Sequence, residues 1–156
     1  MHLPDVPPPV RLLGGLLVAA ALAALAPPVL PAVDLPPLRV SIQDAQGRTV
    51  GQANVYLNYV ELLDAAGHSK GAIGVVQVEG RERLFLVQAN AERKLIGWAE
   101  EQRLYNEEGK LVGFYGWTPI WSYVYDPQHK KVGQAQCLAY QGVCAAGVAG
   151  FLLGLF

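Results

Sequence analysis

Side chains that could carry out chemistry are scarce in this chain of 156 residues. Its three histidines and two cysteines lack the spacing typical of metal ligands, so the sequence predicts no metal centre. None of its serines lies in a nucleophile motif, and no glycine-rich phosphate loop precedes a helix. The pairs Glu100–Glu101 and Glu107–Glu108 are more typical of solvated hairpin ends than of catalytic carboxylates. We therefore expect a protein that is not an enzyme and uses no cofactor.

The only thiols belong to Cys137 and Cys144. An even number of cysteines in an exported protein favours a disulfide. That bond would tie the last repeated segment to the start of an apolar C-terminal segment. The alternative is a pair of free cysteines buried in an apolar region. The sequence leaves both interpretations open.

Aromatic residues are concentrated in one stretch, because residues 114–125 contain six of the fourteen aromatic side chains. Tyrosine and tryptophan suit interfaces and membrane belts, where an apolar ring meets a polar boundary. They equally suit an ordinary sheet face. Trp117 and Trp121 flank a connection that contains a proline, and we expect both to be exposed. Together with Tyr115 they are the predicted binding residues.

The charge pattern excludes one class of partner. The net charge is −1, and the basic and acidic residues are interspersed along the chain. Without a basic stripe, the release of counterions that drives nucleic-acid binding is missing, so no nucleic-acid partner is expected. A polybasic membrane patch is missing for the same reason. The partners that remain are a lipid or membrane surface and another protein.

The N-terminal segment, residues 1–37, has the pattern of an export signal. Arg11 precedes an uncharged apolar run that starts at Leu12, and small residues follow at two potential cleavage sites. The alternative is an uncleaved anchor, because residues 12–33 are uncharged and about 20 such residues span a bilayer. We therefore predict an exported bacterial protein that is periplasmic, extracellular or membrane-anchored.

A repeat organises the middle of the chain, residues 38–140. In five segments an Asp or Asn is followed seven residues later by a Gly. In the second segment Gly74 is an alternative match, after a three-residue insertion. The pairs are Asp44 with Gly51, Asp64 with Gly71, Asn90 with Gly97, Asn106 with Gly113, and Asp126 with Gly133.

Each repeat predicts a β-hairpin. The Asp or Asn caps a type I turn, and the fourth turn position takes the left-handed conformation that glycine favours. Arg93 occupies that position in the third copy, where we expect a different turn. The second glycine lies inside the returning strand, which indicates a sharp bend or a close approach of another backbone. Residues 75–87 predict one additional hairpin that turns at Glu79–Gly80. The fold class is all-β: a closed or nearly closed meander barrel of five repeated hairpins.

The tandem unit D/N-x-x-G-x-x-V/I-G resembles the β-flower domains, small bacterial proteins of radially arranged hairpins. The apolar segments on both sides of the repeats are similar too. The resemblance covers residues 38–156. It implies a shallow, tubby-like barrel with an apolar channel and a connection to lipids, and it implies no catalytic residues.

The C-terminal segment, residues 141–156, is uncharged and apolar. As a helix, residues 143–156 would extend about 21 Å, which is short of the ~30 Å hydrocarbon core of a bilayer. Gly147, Gly150 and Gly154 would share one face, which suits close approach to another backbone. We expect the segment to plug the centre of the barrel. A membrane-dipping segment and a last strand are the alternatives.

Overall fold

Ten antiparallel strands form the domain, two from each repeat. The computed structural model describes residues 35–90 and 92–156, so the export signal or anchor expected near the N-terminus lies outside the described residues. The strands are β1 Leu38–Asp44, β2 Thr49–Val55, β3 Tyr59–Asp64, β4 Ser69–Val78, β5 Arg81–Gln88, β6 Leu95–Glu100, β7 Arg103–Asn106, β8 Leu111–Trp117, β9 Ser122–Tyr125 and β10 Lys131–Ala135.

The strands close into a meander barrel. Each strand pairs with its neighbours in sequence, and β1 pairs with β10 through registers such as Ile42 with Ala135. Closure leaves no unpaired strand edge within the barrel. The predicted fold class, a closed barrel of five repeated hairpins, is confirmed.

The predicted additional hairpin is wrong, although its turn is correctly located. The chain reverses at Glu79 and Gly80, both with positive φ, but β4 belongs to the second repeat and β5 to the third. Their hairpin is longer than the others, because β4 has ten residues and β5 has eight. The extra length therefore extends a link between two repeats rather than adding a sixth unit.

The one helix in the described part of the chain, α1, covers Gln141–Leu152 and fills the barrel. Every residue from Val143 to Gly150 is buried, and the helix packs against strands β2 to β5 and β7 to β10. A helix that is apolar on all sides is stable in water only when it is surrounded. The sequence-based expectation that the C-terminal segment plugs the barrel is confirmed.

The core includes one side chain per repeat at an equivalent position on the odd-numbered strands. Each is fully buried and pairs across the hairpin with the second glycine of its repeat, next to a β-bulge. The bulge lets the strand bend inward at the glycine. The five side chains are those of Ile42, Leu62, Leu86, Leu104 and Val124.

The end of α1 corrects one expectation about its glycines. Gly154 has φ +80° and terminates the helix: its N–H donates to the Phe151 carbonyl, and the N–H of Leu155 donates to the Gly150 carbonyl. This pair of bonds defines a Schellman motif. Gly147 and Gly150 face the side chains of Ile73 and Leu86, not another backbone.

Candidate functional site

The barrel has two chemically different ends. At the Asx-turn end lie the five turns that begin with the repeat Asp or Asn. At the linker end lie the four connections between repeats (residues 56–58, 79–80, 101–102 and 118–121), the start of β1, and residues 136–140 that lead into α1. The strands of a meander alternate in direction, so these sets segregate completely.

Side-chain oxygens hold the Asx-turn end. In four repeats, Oδ1 of the Asp or Asn accepts hydrogen bonds from the backbone N–H groups two and four residues later, as Asp44 does from Gln46 and Arg48 at 2.9 and 3.0 Å. In the third repeat, Oδ1 of Asn90 accepts from one N–H among the described residues, that of Arg93 at 2.8 Å. The predicted difference in that turn is therefore present.

The five repeat glycines receive the last residues of the chain. A Cβ added to Gly51 would lie 2.5 Å from Cζ of Phe151 and 2.7 Å from the Leu63 carbonyl oxygen. Every one of the five shows the same double restriction, by a neighbouring carbonyl and by one C-terminal side chain. The pairs are Gly51 with Phe151, Gly71 with Phe156, Gly97 with Leu155, Gly113 with Leu153, and Gly133 with Leu152.

This arrangement closes the Asx-turn end of the barrel from the inside. It also decides between the two matches in the second repeat. Gly71 has the contact with Phe156, whereas a Cβ on Gly74 would meet nothing nearer than 3.8 Å. Gly71 is thus the equivalent glycine, despite Lys70 before it. The sequence does not reveal the five C-terminal side chains that contact these glycines. Their pairing with the repeats becomes visible only when the position of α1 inside the barrel is known.

Cys137 and Cys144 are joined in a disulfide, with Cα atoms 5.9 Å apart. Both side chains are buried. The bond connects the chain that leaves β10 to the first turn of α1, across Tyr140, which has a left-handed backbone conformation. It therefore holds the entry of the helix at the linker end.

The three predicted binding residues have different environments. Trp117 is 41% exposed and stacks on Tyr115, with ring centroids 6.3 Å apart. Trp121 is partly buried, so the expectation that it is exposed is wrong, because it lines a shallow groove of about 210 Å³ with Leu38 and Leu138. The prediction for Tyr115 needs correction, because its side chain is 5% exposed and burial raises the pKa of its hydroxyl to about 12. Tyr115 is therefore a mostly buried neighbour of Trp117 that also lines a cavity beside the start of α1.

Hydrogen bonds fix the connection that carries this tryptophan pair. The Thr118 hydroxyl accepts from the N–H of Trp121 at 3.0 Å, and the N–H of Thr118 donates to the Trp121 carbonyl at 2.7 Å. Nε2 of Gln141, at the start of α1, donates to the Pro119 carbonyl at 3.0 Å. The connection is thus tied to the helix, and it holds Ile120 in solvent at 55% exposure.

Exposed apolar side chains lie almost entirely on one side of the molecule. Of the nine large hydrophobic residues that are exposed in the unit formed by residues 37–156, eight lie on the linker half and only Leu95 lies near the Asx-turn end. We call these eight the apolar rim: Leu38, Leu57, Tyr59, Val76, Trp117, Ile120, Leu138 and Tyr140.

Two further concavities lie outside the core. A cavity of about 770 Å³ runs over the outer face of β3 to β5, above Ala72 and Gly74 and beside Phe85. A second, of about 490 Å³, opens beside the start of α1. Among the described residues, no cluster of His, Cys, Asp and Glu is suited to a metal ion. No helix in that part of the chain has the length and apolar character needed to cross a membrane.

Comparison of the chain with family models, curated proteins and solved structures finds no match. The resemblance to β-flower domains therefore stays a prediction that rests on the repeat itself.

Proposed function

We propose that this protein is a non-enzymatic binding module of the cell envelope that contacts a lipid surface through its apolar rim. The observation that carries the proposal is the segregation of exposed apolar side chains: within residues 37–156, eight of the nine exposed large hydrophobic residues lie on one half of the barrel. Water-soluble domains rarely concentrate exposed apolar side chains in this way unless something covers them.

The chemistry of the rim fits the boundary between lipid and water. Leu57, Leu138 and Ile120 are 85%, 59% and 55% exposed. Burial of a completely exposed Leu or Ile side chain contributes about 1.5–3 kcal/mol, so each of the three stabilises the docked state by its exposed fraction of that amount. Trp117 and Tyr140 have the apolar ring and polar tip that favour the headgroup region. The total of several kcal/mol is suited to reversible attachment, as for a single acyl chain.

The interior of the barrel is not where a ligand would bind. Val148 and Ala149 are fully buried at the centre of α1, so an apolar ligand could enter only by displacing the helix. The fixed Gly51–Phe151 contact and its four equivalents would be lost at the same time. Lipid contact is therefore proposed for the outer rim, without a lipid in the channel that the β-flower resemblance implies.

Export and attachment to the envelope form part of the same proposal. They depend on the uncharged run 12–33 behind Arg11, which functions either as a cleaved signal or as an anchor. Fractionation that finds the full-length chain free in the cytoplasm would contradict this part.

Flotation with vesicles tests the contact itself. Residues 37–156 form a compact unit that contains the complete core of the described chain, so this domain is suited to the assay. We expect it to float with phosphatidylcholine vesicles. The variant with Leu57→Ser, Ile120→Ser and Leu138→Ser should lose most of this binding, since three exposed apolar side chains are removed.

The matched control is Leu95→Ser, an equally polar change at the Asx-turn end, where the side chain is 39% exposed. It should float like the unmodified domain. If the unmodified domain stays at the bottom of the gradient, or if both variants float equally well, the proposal is wrong. A domain that stays unbound but pulls down an envelope protein through the rim would instead support a protein-interaction module with a filled barrel.

A further inference from the structure

The linker end is divided into two sectors of different chemistry. Five connections follow one another around the barrel, because the strand order is the sequence order and β10 returns to β1. Three consecutive connections carry the exposed apolar side chains, and the remaining two carry most of the charges. The boundary lies between β3 and β4 on one side and between β7 and β8 on the other.

The apolar sector consists of the β8–β9 connection, the segment 136–140 with the start of β1, and the β2–β3 connection. Of its charged residues, Arg39 is exposed and Glu61 is partly buried, and together they contribute no net charge. The exposed apolar side chains here are Leu38, Leu57, Tyr59, Trp117, Ile120, Leu138 and Tyr140.

The charged sector consists of the β4–β5 and β6–β7 connections. Val76 is its only exposed large hydrophobic residue within the described chain. Arg83 and Glu100 form an ion pair at 3.5 Å, and further charges surround it. The charged residues of this sector are Glu79, Arg81, Glu82, Arg83, Glu100, Glu101 and Arg103.

We propose that the domain docks on the bilayer in a tilted orientation, with the apolar sector in the interface and the charged sector in water, and that this docking does not depend on anionic lipid. This inference rests on the proposed function and specifies its geometry and its lipid requirement. Docking with the whole linker end flat on the bilayer would remove seven charged side chains from water, which costs several kcal/mol for each uncompensated ion. Tilting toward the β8–β9 connection avoids that cost.

The inference that docking does not depend on anionic lipid follows from the charges of the apolar sector. Attraction to an anionic surface contributes about 1 kcal/mol for each Lys or Arg that approaches it. Arg39 is the only such residue in this sector of the described chain, and Glu61 offsets it. Binding should therefore depend on apolar burial, with little response to ionic strength or to anionic lipid.

The course of the chain supports a bilayer as the occupant of this sector. Four residues separate the end of the uncharged run 12–33 from Leu38, where β1 begins within the apolar sector. Five residue steps span at most ~18 Å. An anchor in that run would therefore keep the apolar sector, rather than the Asx-turn end, beside the same membrane.

Single-tryptophan reporters in the full chain test the orientation. The first retains only Trp117, in the apolar sector. The second retains only Trp98, whose ring lies beside Gly109 of the fourth Asx turn. The third replaces all three tryptophans by Phe and carries Arg81→Trp, at the charged side of the linker end. Each is mixed with vesicles of brominated phosphatidylcholine, and quenching of its fluorescence is measured.

We expect the fluorescence of Trp117 to be quenched at least about twofold more strongly than that of either other reporter. This quenching should not change when anionic lipid or about 0.5 M salt is added. Equal quenching of the reporter at position 81 would show flat docking and overturn the tilt. Quenching that requires anionic lipid would overturn the inference that docking does not depend on it. Both results leave the proposed function intact if the isolated domain floats. If the isolated domain does not float, the tilted docking and the proposed function are both wrong. Both are also wrong if Trp117 escapes quenching because the protein dimerises or because segment 12–33 folds back over it.

Discussion

At the scale of single residues, each repeat glycine meets two requirements at once. Its missing side chain lets a neighbouring strand carbonyl approach, and it leaves room for one of the five C-terminal side chains. For Gly113 these neighbours are the Tyr125 carbonyl and Cδ1 of Leu153. The Leu153 atom would lie 2.5 Å from an added Cβ. The sequence predicts that these glycines matter, because glycine otherwise weakens a strand. Which atoms require them follows only from the position of the helix.

A pair of glycines in β8 tests this interpretation. Gly113→Ala should destabilise the domain by more than about 2 kcal/mol, because a backbone carbonyl and a packed Leu153 both occupy the space of the new methyl group. Gly116→Ala is the matched control in the same strand, since its added Cβ would meet nothing nearer than 3.8 Å. Urea denaturation measures both. Equal midpoints would contradict the double requirement.

The Asx turns predict an acid response at Asp64. A hydrogen bond from the N–H of His68 is the largest cause that holds the pKa of this carboxyl below its ordinary value of 3.8. The folded-state pKa is the lower one. The ionised carboxylate therefore contributes stability above pH 3.8, and this contribution disappears as the pH falls through the folded-state value.

Asp64→Asn separates this effect from the turn geometry. Asn occupies the same position in two other repeats, at Asn90 and Asn106, so the hydrogen-bond acceptor is kept while the ionisation is removed. The stability advantage of the unmodified chain over the variant should shrink as the pH falls from about 5 to about 3. Thermal melts across this range measure the difference. A constant difference would contradict the lowered pKa.

At the scale of elements, the Asp-to-Gly spacing predicts the hairpins and their order, because local turn chemistry determines where each chain reversal occurs. The spacing does not predict that residues 75–87 only lengthen β4 and β5. The same alternation of apolar residues is expected for an additional hairpin and for two longer strands. The helix is predictable from its uncharged composition. The bounds of the helix and its Schellman motif at Gly154 cannot be predicted in this way. The segment is apolar throughout, so its composition does not indicate where inside the barrel the helix begins and ends.

The helix should be indispensable for folding. Deletion of residues 143–156 removes the centre of the core, and even a few hundred Å² of lost burial costs several kcal/mol at about 25 cal/mol per Å². That is comparable to the total stability of a small domain. Val148→Asp should have the same effect, because it leaves a charge unpaired at a fully buried position.

Leu138→Asp is the control for the aspartate substitution, since that side chain is 59% exposed and its change should leave the fold intact. Circular dichroism in detergent-free buffer measures all three proteins. A truncated chain that stays folded and equally heat-stable would show that the helix is dispensable.

The disulfide should stabilise the entry of the helix without being needed for the fold. It closes a short loop, with a sequence separation of seven, for which the chain-entropy model gives on the order of 2 kcal/mol. The variant with Cys137→Ala and Cys144→Ala should remain folded and should unfold at lower urea concentration. A midpoint identical to that of the oxidised chain would contradict this contribution.

At the scale of the whole molecule, the barrel separates a polar Asx-turn end from an apolar linker end. The sequence correctly indicates that Trp117 is exposed, but it gives no means to see that Leu57, Ile120 and Leu138 lie in the same sector. Leu57 lies more than 60 positions before Ile120 and Leu138, and only closure of β1 on β10 brings its connection beside theirs. The burial of Tyr115, which was predicted as a binding residue, could not be predicted for a related reason: its inward direction depends on the bulge before Gly113.

The most direct test of the account is hydrogen exchange of the isolated domain, residues 37–156, with and without phosphatidylcholine vesicles. The account predicts that vesicles slow exchange in residues 56–58, 118–121 and 136–140, while α1 is protected equally in both samples, because its hydrogen bonds already lie inside the barrel. Faster exchange in α1 on addition of vesicles would show that lipid displaces the helix. Unchanged exchange in the three connections would show that the rim does not contact the membrane.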